Sequence, residues 1–306
     1  MENRCGRVAL IGPPNAGKST LLNALLGQKV TIVTPKPQTT RNQIVGILSE
    51  EQGQAIFLDT PGLTEERGKL SKTMHRAIWE SLREADLLMP ILDGNLYVRH
   101  PELLESDLGS LVKTLAQDER PQLVVINKID LFADKSLMLP LFEHLHNLWP
   151  RAELFPASAL QKDGLPELRE LVLKFLPKAP PEYPLDQLST QPLRFMAAEI
   201  IREKLFLYLR QEVPYHTAVD IENWEECKET EQTVINAVIY VTKPMHKGMV
   251  IGHNGSMLKR IGSEARLEIQ TLLASKVHLE LWVKVREHCY EDPAFLRDIG
   301  LLSEEV

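Results

Sequence analysis

The sequence predicts two domains of different class: an α/β domain with a mostly parallel, doubly wound sheet over residues 1–176, and a smaller α+β domain over 193–286. Three observations predict it. Through the first half, short β-rich runs alternate with helical patterns, the signature of strand–helix–strand units. Between 177 and 192, five of the residues are proline (177, 180, 181, 184 and 192), which marks a connection. Beyond that connection the order of elements becomes α-β-β-α-α-β.

In the first domain the apolar, β-branched runs at 7–11, 44–48, 55–58, 87–92 and 123–126 read as strands. The helical patterns between them supply the crossovers that parallel pairing requires. Proline fixes φ and removes backbone donors, so 177–192 is expected to be a stiff linker. In the second domain, 193–213 has helical apolar spacing, 217–222 and 233–241 read as strands, 255–274 is helical and 277–285 is a final strand. The end of the chain, 287–306, is expected to be an acidic tail.

At 306 residues, with 43% apolar and 25% charged residues, the chain has globular composition and room for two cores. Its apolar runs are strand-sized, and the amino terminus lacks a basic stretch followed by an apolar one. Neither a membrane span nor a secretory signal is expected, and a cytoplasmic protein is. Cys5, Cys227 and Cys289 are odd in number and far apart, which fits ordinary thiols in a reducing compartment. The net charge of −7 argues against non-specific nucleic-acid binding by the chain as a whole. Residues 240–286, however, hold eight Lys or Arg against three Glu, a net +5, whereas 287–306 hold six acids and one arginine, a net −5. The tail could screen the basic face.

The strongest motif is Gly12-Pro13-Pro14-Asn15-Ala16-Gly17-Lys18-Ser19, directly after a strand and before a helix that Gly27 could close. It has the G-x-x-x-x-G-K-[ST] form of a phosphate-binding loop, in which backbone N–H groups and a helix N-terminus point at anionic oxygens. Lys18 would neutralise β- and γ-phosphates, and Ser19 would offer its hydroxyl to Mg²⁺. The binding set comprises Gly12, Asn15, Ala16, Gly17, Lys18, Ser19 and Thr20. Asp59-Thr60-Pro61-Gly62 follows another apolar strand, so its carboxylate stands where open α/β sheets bind ligands. Asp59 would hold Mg²⁺ through water, and Gly62 would let its N–H approach a γ-phosphate.

Asn127-Lys128-Ile129-Asp130 closes a further strand, and with it the first domain resembles the translation-factor type of GTPase, whose guanine-reading motif is N-K-x-D. The resemblance implies that Asp130 accepts from the guanine ring N–H and amino group together, that Lys128 lies along the base and that Asn127 braces the loop. It also implies that the loop Ser158-Ala159-Leu160 supplies an N–H to guanine O6. Gln38-Thr39-Thr40-Arg41 lies where these proteins carry a mobile switch segment with a Mg²⁺-binding threonine; either threonine could serve, and Thr40 is favoured. Lys18, Thr40 and Gly62 are the residues expected to act on the transferred phosphate, and Ser19, Thr40 and Asp59 those expected to hold the metal. Leu63 stands where small GTPases carry a water-positioning glutamine, so hydrolysis is expected to be slow unless another group completes the site.

Val250-Ile251-Gly252-His253-Asn254-Gly255, followed by Lys259, Arg260 and Gly262, resembles the core of a KH domain, whose G-x-x-G loop clamps single-stranded RNA. Lys247, Ile251, Gly252, His253, Asn254, Gly255, Lys259 and Arg260 are the expected RNA-binding residues, the glycines for close approach and the cations for phosphate. The α-β-β-α-α-β order is that of the bacterial, type II KH fold. From about Val8 to Arg286 the chain resembles the Era family of GTPases, including the Glu199-Ile-Ile-Arg-Glu-Lys-Leu segment. The resemblance implies GTP and GDP as ligands with Mg²⁺, and a potassium ion helped by Asn15. It further implies binding to the 3′ region of small-subunit ribosomal RNA, assistance to small ribosomal subunit assembly, a monomer, and a cytoplasmic protein with peripheral association at the inner membrane face. His253 departs from the lysine common in that loop, and Cys289 from an expected tryptophan. Because histidine is mostly uncharged near neutral pH, His253 and the acidic tail motivate an alternative, a nucleotide-dependent protein-interaction switch whose KH-like domain does not bind RNA.

Overall fold

A computed structural model describes residues 3–62, 69–115, 117–227 and 231–299. Leu63 and the end of the tail, 300–306, lie outside the described residues. The described residues divide into two units, and two short segments, Ile32–Thr39 and 69–73, group with the second.

The first unit contains β1 (Arg4–Ile11), α1 (Lys18–Leu26), β2 (Ile44–Glu50), β3 (Gly53–Asp59) and the larger part of α2 (Lys69–Glu84). It continues with β4 (Leu87–Asp93), α3 (Gly94–Arg99), α4 (Glu102–Leu115), β5 (Leu123–Asn127), α5 (Leu139–Leu148), β6 (Glu153–Pro156) and α6 (Leu165–Phe175). The strands form one sheet of order β2-β3-β1-β4-β5-β6. Every pairing is parallel except β2 with β3. Along β1, Val8 and Leu10 pack into a core with α1 and α6, while Ala9 and Ile11 pack into a second core with α2 to α5. Burial on both faces explains why these strands read as unbroken apolar runs rather than as alternation.

The proline-rich stretch lies along this sheet as far as Thr190. Cys5 N donates to Pro177 O at 3.0 Å and Ile47 N to Leu188 O at 2.9 Å. The buried Gln54 side chain donates to Tyr183 O at 2.9 Å and accepts from the N–H groups of Glu182 and Tyr183. Prolines suit this position because they remove donors that an edge strand would otherwise expose, and the contact to Ile47 covers the open edge of β2.

The second unit holds α7 (Leu193–Tyr208), β7 (Thr217–Cys227), β8 (Gln232–Val241), α8 (Pro244–Ile251), α9 (Ser256–Leu273), β9 (Lys276–Val285) and α10 (Pro293–Asp298). Its sheet runs β7-β8-β9, antiparallel then parallel. Ile261, Ala265 and Ile269 of α9, at helical spacing, meet Ala197, Ile201 and Leu205 of α7 over Ile235, Ala237 and Ile239 of β8. The beginning of the acidic tail is folded: Cys289 and Phe295 pack with Ala218 and Tyr240 on the sheet. Asp292 caps α10 by accepting from Ala294 N and Phe295 N, and its other oxygen takes the Arg286 guanidinium at 2.6 Å.

Candidate nucleotide site and nucleic-acid surface

Five neighbouring strands end on the same edge of the first sheet, and each delivers a polar group or a loop there. Gly12 follows β1, Asp59 ends β3, Asp93 ends β4, Asn127 ends β5 and Ser158 follows β6. Parallel strands place their C-terminal ends together, which is why sites of this fold assemble at that edge.

Between β1 and α1 the chain makes a loop that only glycine can complete at two points. A Cβ on Gly12 (φ 145°) would stand 2.3 Å from Ile91 O, and one on Gly17 (φ 95°) would stand 2.3 Å from Asn127 Nδ2. Gly17 opens α1 with no side-chain cap, so the first N–H groups of that helix face the loop interior without a local acceptor. Lys18 is buried and its ammonium donates to Gly12 O at 2.9 Å and Pro13 O at 3.0 Å. Burial lowers its pKa to about 8, against the opposing pull of Asp59. Asn15, at φ 61°, is exposed at the loop tip, and Ala16 is buried.

Beneath the loop is a cluster of oxygens. Ser19 Oγ donates to Asp59 Oδ2 at 2.7 Å, and Thr40 Oγ1 lies 2.9 Å from Ser19 Oγ. Thr31 Oγ1 reaches the same carboxylate oxygen at 3.4 Å. Asp59 is fully buried, with Oδ1 without a hydrogen-bond partner, and burial raises its pKa to about 6 despite the Ser19 hydrogen bond and the Lys18 charge. A buried carboxylate with an unpartnered oxygen beside two hydroxyls is a hard, oxygen-only donor set, which fits a magnesium ion. Thr39 differs from its neighbour: its hydroxyl bonds Thr34 Oγ1 at 2.6 Å and Lys36 O at 2.7 Å. Gly62 lies against the loop, since a Cβ there would meet Pro14 Cα at 2.9 Å.

On the other side of the loop Asn127 Nδ2 donates to Ala16 O at 2.9 Å, and Ala159 N donates to Asn127 Oδ1 at 3.0 Å. Lys128, at φ 67°, forms a 2.6 Å ion pair with Asp93, whose second oxygen caps α3 through Leu96 N. Ser158 Oγ donates to Asp130 Oδ1 at 2.5 Å and accepts from Gln161 N at 3.0 Å. Asp130 and Leu160 are both exposed. Asp93 and Thr31 were not anticipated from sequence. Asp93 could have been, because it ends an apolar strand as Asp59 and Asn127 do; Thr31 sits in a loop with no motif.

In the second unit, α8 and α9 are joined by a turn in which Gly252 (φ 72°), Asn254 (φ 49°) and Gly255 (φ 76°) all take positive φ. A Cβ on Gly252 would stand 2.6 Å from Met257 Cβ, whereas around Gly255 there is open space. Lys247, His253, Asn254, Lys259 and Arg260 are exposed, and Ile251 packs against the core. Gly255 of the turn and Leu258, Lys259, Gly262, Ser263 and Arg266 of α9 line a cleft of about 360 Å³ with Leu279 and Leu281 of β9. Arg266 and Ser263 were not anticipated; they follow from continuing the Gly255, Lys259, Gly262 face by one helical turn. Arg260 turns elsewhere: its guanidinium lies 4.0 Å over the Tyr208 ring and 3.4 Å from Glu264.

Residues 7–128 match a family model described as a 50S ribosome-binding GTPase, and residues 212–288 match a KH domain. The chain is 67% identical to a GTPase Era of Desulfovibrio desulfuricans over 99% of each chain. It is 60% identical to a GTPase Era of Nitratidesulfovibrio vulgaris, over 99% of this chain and 98% of that one. Among solved structures it resembles a variant of Aquifex aeolicus Era bound to GDP and AlF4⁻, with a TM-score of 0.88 and 38% identity over 97% of this chain and 99% of that one. The same TM-score and identity relate it to Era in complex with MgGDPNP and nucleotides 1506–1542 of 16S ribosomal RNA, over 98% and 99% of the two chains.

Proposed function

This chain belongs to the Era family of GTPases, and on that premise we propose that it is a slow GTP-hydrolysing switch acting on the 3′ region of small-subunit ribosomal RNA during small ribosomal subunit assembly. The hydrogen bond of Ser19 to the buried Asp59, whose other carboxylate oxygen has no partner, carries the nucleotide half of this reading.

In this reading the uncapped start of α1 and the loop N–H groups receive phosphate oxygens, and Lys18 leaves the carbonyls of Gly12 and Pro13 for the β- and γ-phosphates. Ser19 and Thr40 offer hydroxyls to Mg²⁺, and Asp59 holds it through water. The ion supplies neutralisation of the charge that gathers on the transferred phosphoryl group. Gly62 offers its backbone N–H to the γ-phosphate. Asp130, oriented by Ser158, accepts from two guanine donors that adenine does not present, and its exposure means that its desolvation comes with the base. Leu63 cannot orient a water, which makes turnover slow without assistance. Asn15 at the exposed loop tip is the residue for a potassium ion; equal turnover in potassium and sodium buffers would remove that part.

For RNA, the glycine turn and the Lys259–Arg266 cleft support single-stranded binding, with Lys247, His253 and Asn254 at the turn. No helix among the described residues is long and apolar enough to cross a membrane. A monomer in the cytoplasm with peripheral membrane contact completes the reading by family resemblance, and light scattering and vesicle flotation test those two points.

The decisive experiment titrates a labelled oligoribonucleotide from the 3′ end of small-subunit ribosomal RNA into the full chain with GTP, at several salt concentrations. Salt-dependent binding that disappears in the Gly252→Asp, Gly255→Asp double variant is expected. No binding at low salt would overturn the RNA half and leave the protein-interaction alternative. Displacement of bound GTP by equimolar ATP would overturn the guanine assignment.

A further inference from the structure

Lys128 is a long, flexible cation in an uncommon backbone conformation. Its φ of 67° and ψ of 33° lie in the left-handed region, which residues with a β-carbon seldom adopt. The ammonium has a committed partner: Nζ donates to Asp93 Oδ2 at 2.6 Å, and the two side chains are only 30% and 18% exposed. Asp93 is itself fixed. Its other oxygen accepts from Leu96 N at 3.0 Å and caps α3, and its backbone stands opposite Asn127 in the β4–β5 register. A Cβ on Gly94, the next residue, would stand 2.9 Å from Ile126 Cγ2 and 3.0 Å from Asn127 O. The carboxylate therefore projects from a strand end packed tightly against the strand that leads into Lys128.

This pair completes the bracing of residues 127–130. Asn127 is held by Ala16 O and Ala159 N, and Asp130 by Ser158 Oγ. Lys128 lies between them, held by Asp93. Lys128 O accepts from Leu131 N at 3.1 Å, so the turn Ile129–Leu131, which carries Asp130, starts on the residue that Asp93 holds. A free lysine stem samples many rotamers, and ordering it against a ligand costs that freedom at the moment of binding. An ion pair with a fixed carboxylate removes the freedom beforehand and leaves the four-carbon stem as a preset apolar surface.

We infer that Asp93 is a positioning residue for guanine-nucleotide binding, acting through Lys128 by holding its ammonium so that its stem lies along the base. The inference rests on the reading of residues 127–130 as the guanine motif. Because the pair serves the base and not the reacting phosphate, its loss weakens binding and leaves the chemical step unchanged.

The test uses the full chain in Mg²⁺, with a fluorescent GDP analogue for affinity and steady-state GTP turnover. Asp93→Asn keeps the size of the side chain and an oxygen that caps α3, but removes the charge that holds Lys128. It is expected to weaken GDP binding and raise KM for GTP about tenfold, the loss typical of a hydrogen bond to a charged group. The kcat stays within about twofold of wild type, which a distorted site would not allow. Asp93→Ser, a shorter residue that also caps helices, gives the same result. Lys128→Met keeps the stem and removes the ammonium. Adding Asp93→Asn to it weakens binding by no more than about twofold further, because the two residues act as one unit. Asp93 is overturned as a positioning residue if both of its variants bind GDP like wild type, if kcat falls along with affinity, or if the two losses multiply in the double variant. A wild type that does not bind GDP overturns the guanine reading itself, and the role of Asp93 with it.

Discussion

Asn127 Nδ2 donates to Ala16 O at 2.9 Å while Asn127 Oδ1 accepts from Ala159 N at 3.0 Å. One buried amide thereby ties the end of β5 to the phosphate loop on one side and to the Ser158–Leu160 loop on the other. The approach is close enough that Gly17 has no room for a Cβ. A side chain far apart in sequence from both loops sets their separation.

Replacing it by alanine removes both hydrogen bonds. At about 1 kcal/mol each, Asn127→Ala should weaken GDP binding by roughly ten- to a hundredfold. Isothermal titration calorimetry reads this directly, and an affinity within twofold of wild type would contradict the brace.

Asp59 predicts an unusual pH dependence for the metal-free protein. Its folded-state pKa is raised by burial from 3.8 to about 6, so between these values the native state binds more protons than the unfolded chain. Stability therefore falls as pH rises through that window and stays lower above it. That difference corresponds to about 3 kcal/mol at most. In EDTA, Asp59→Asn should abolish the slope in urea unfolding of the first unit and be the more stable form at pH 7, while failing to respond to Mg²⁺.

Asp130 should decide the base. Asp130→Asn exchanges one acceptor for a donor, which mismatches guanine and suits xanthine, whose carbonyl replaces the amino group. A loss of about a hundredfold or more in GTP affinity is expected, with xanthosine triphosphate gaining. Equal binding of GTP by both proteins would show that Asp130 does not read the base.

The two arginines of α9 should behave differently towards RNA. Arg266 lines the cleft, whereas the guanidinium of Arg260 is stacked on Tyr208. Arg266→Gln should weaken binding uniformly across sequences and reduce the salt slope by about 1, and Arg260→Gln should do so less. His253→Lys, adding a fixed charge at the exposed turn, should steepen the slope. Filter binding across a salt series distinguishes these outcomes, and equal losses in both arginine variants would refute the cleft assignment.

The folded start of the acidic tail depends on Asp292, which caps α10 and pairs with Arg286. Asp292→Ala should cost about 1 kcal/mol locally, seen as faster amide exchange at Ala294 and Phe295. Unchanged exchange there would mean that Phe295 packing alone holds the helix.

Much of this protein is legible in its sequence because the decisive signals are local. Glycine spacing in residues 12–17 and the turn Gly252–Gly255 depend on backbone conformations that few residue types can adopt, and the runs ending in Asp59 and Asn127 are strands buried on both faces, which leaves them continuously apolar. The strands at 7–11, 44–48, 55–58, 87–92 and 123–126 lie within β1 to β5, each extended by a residue or more. The short β6 was legible only as Leu154 and Phe155 before Ser158, because four residues give too little period to count.

Tertiary structure decided what local signals do not encode. Thr39 and Thr40 are chemically identical neighbours, and only the fold turns one hydroxyl to Thr34 and Lys36 and the other to Ser19. Arg260 and Arg266 both add charge to the same helix, yet a 100° step per residue sends one to Tyr208 and the other into the cleft. The prolines of 177–184 read as part of a linker because proline breaks regular structure, but Pro177 O still accepts from Cys5 N of β1 and Leu188 O from Ile47 N of the edge strand β2. Sequence by itself therefore determined the two fold classes, the phosphate loop and the guanine and RNA motifs. The pairing of side chains across loops, including the burial of Arg202 and Glu203 against Thr39 and Val33, came from packing, because which partner a side chain meets depends on residues distant in the chain.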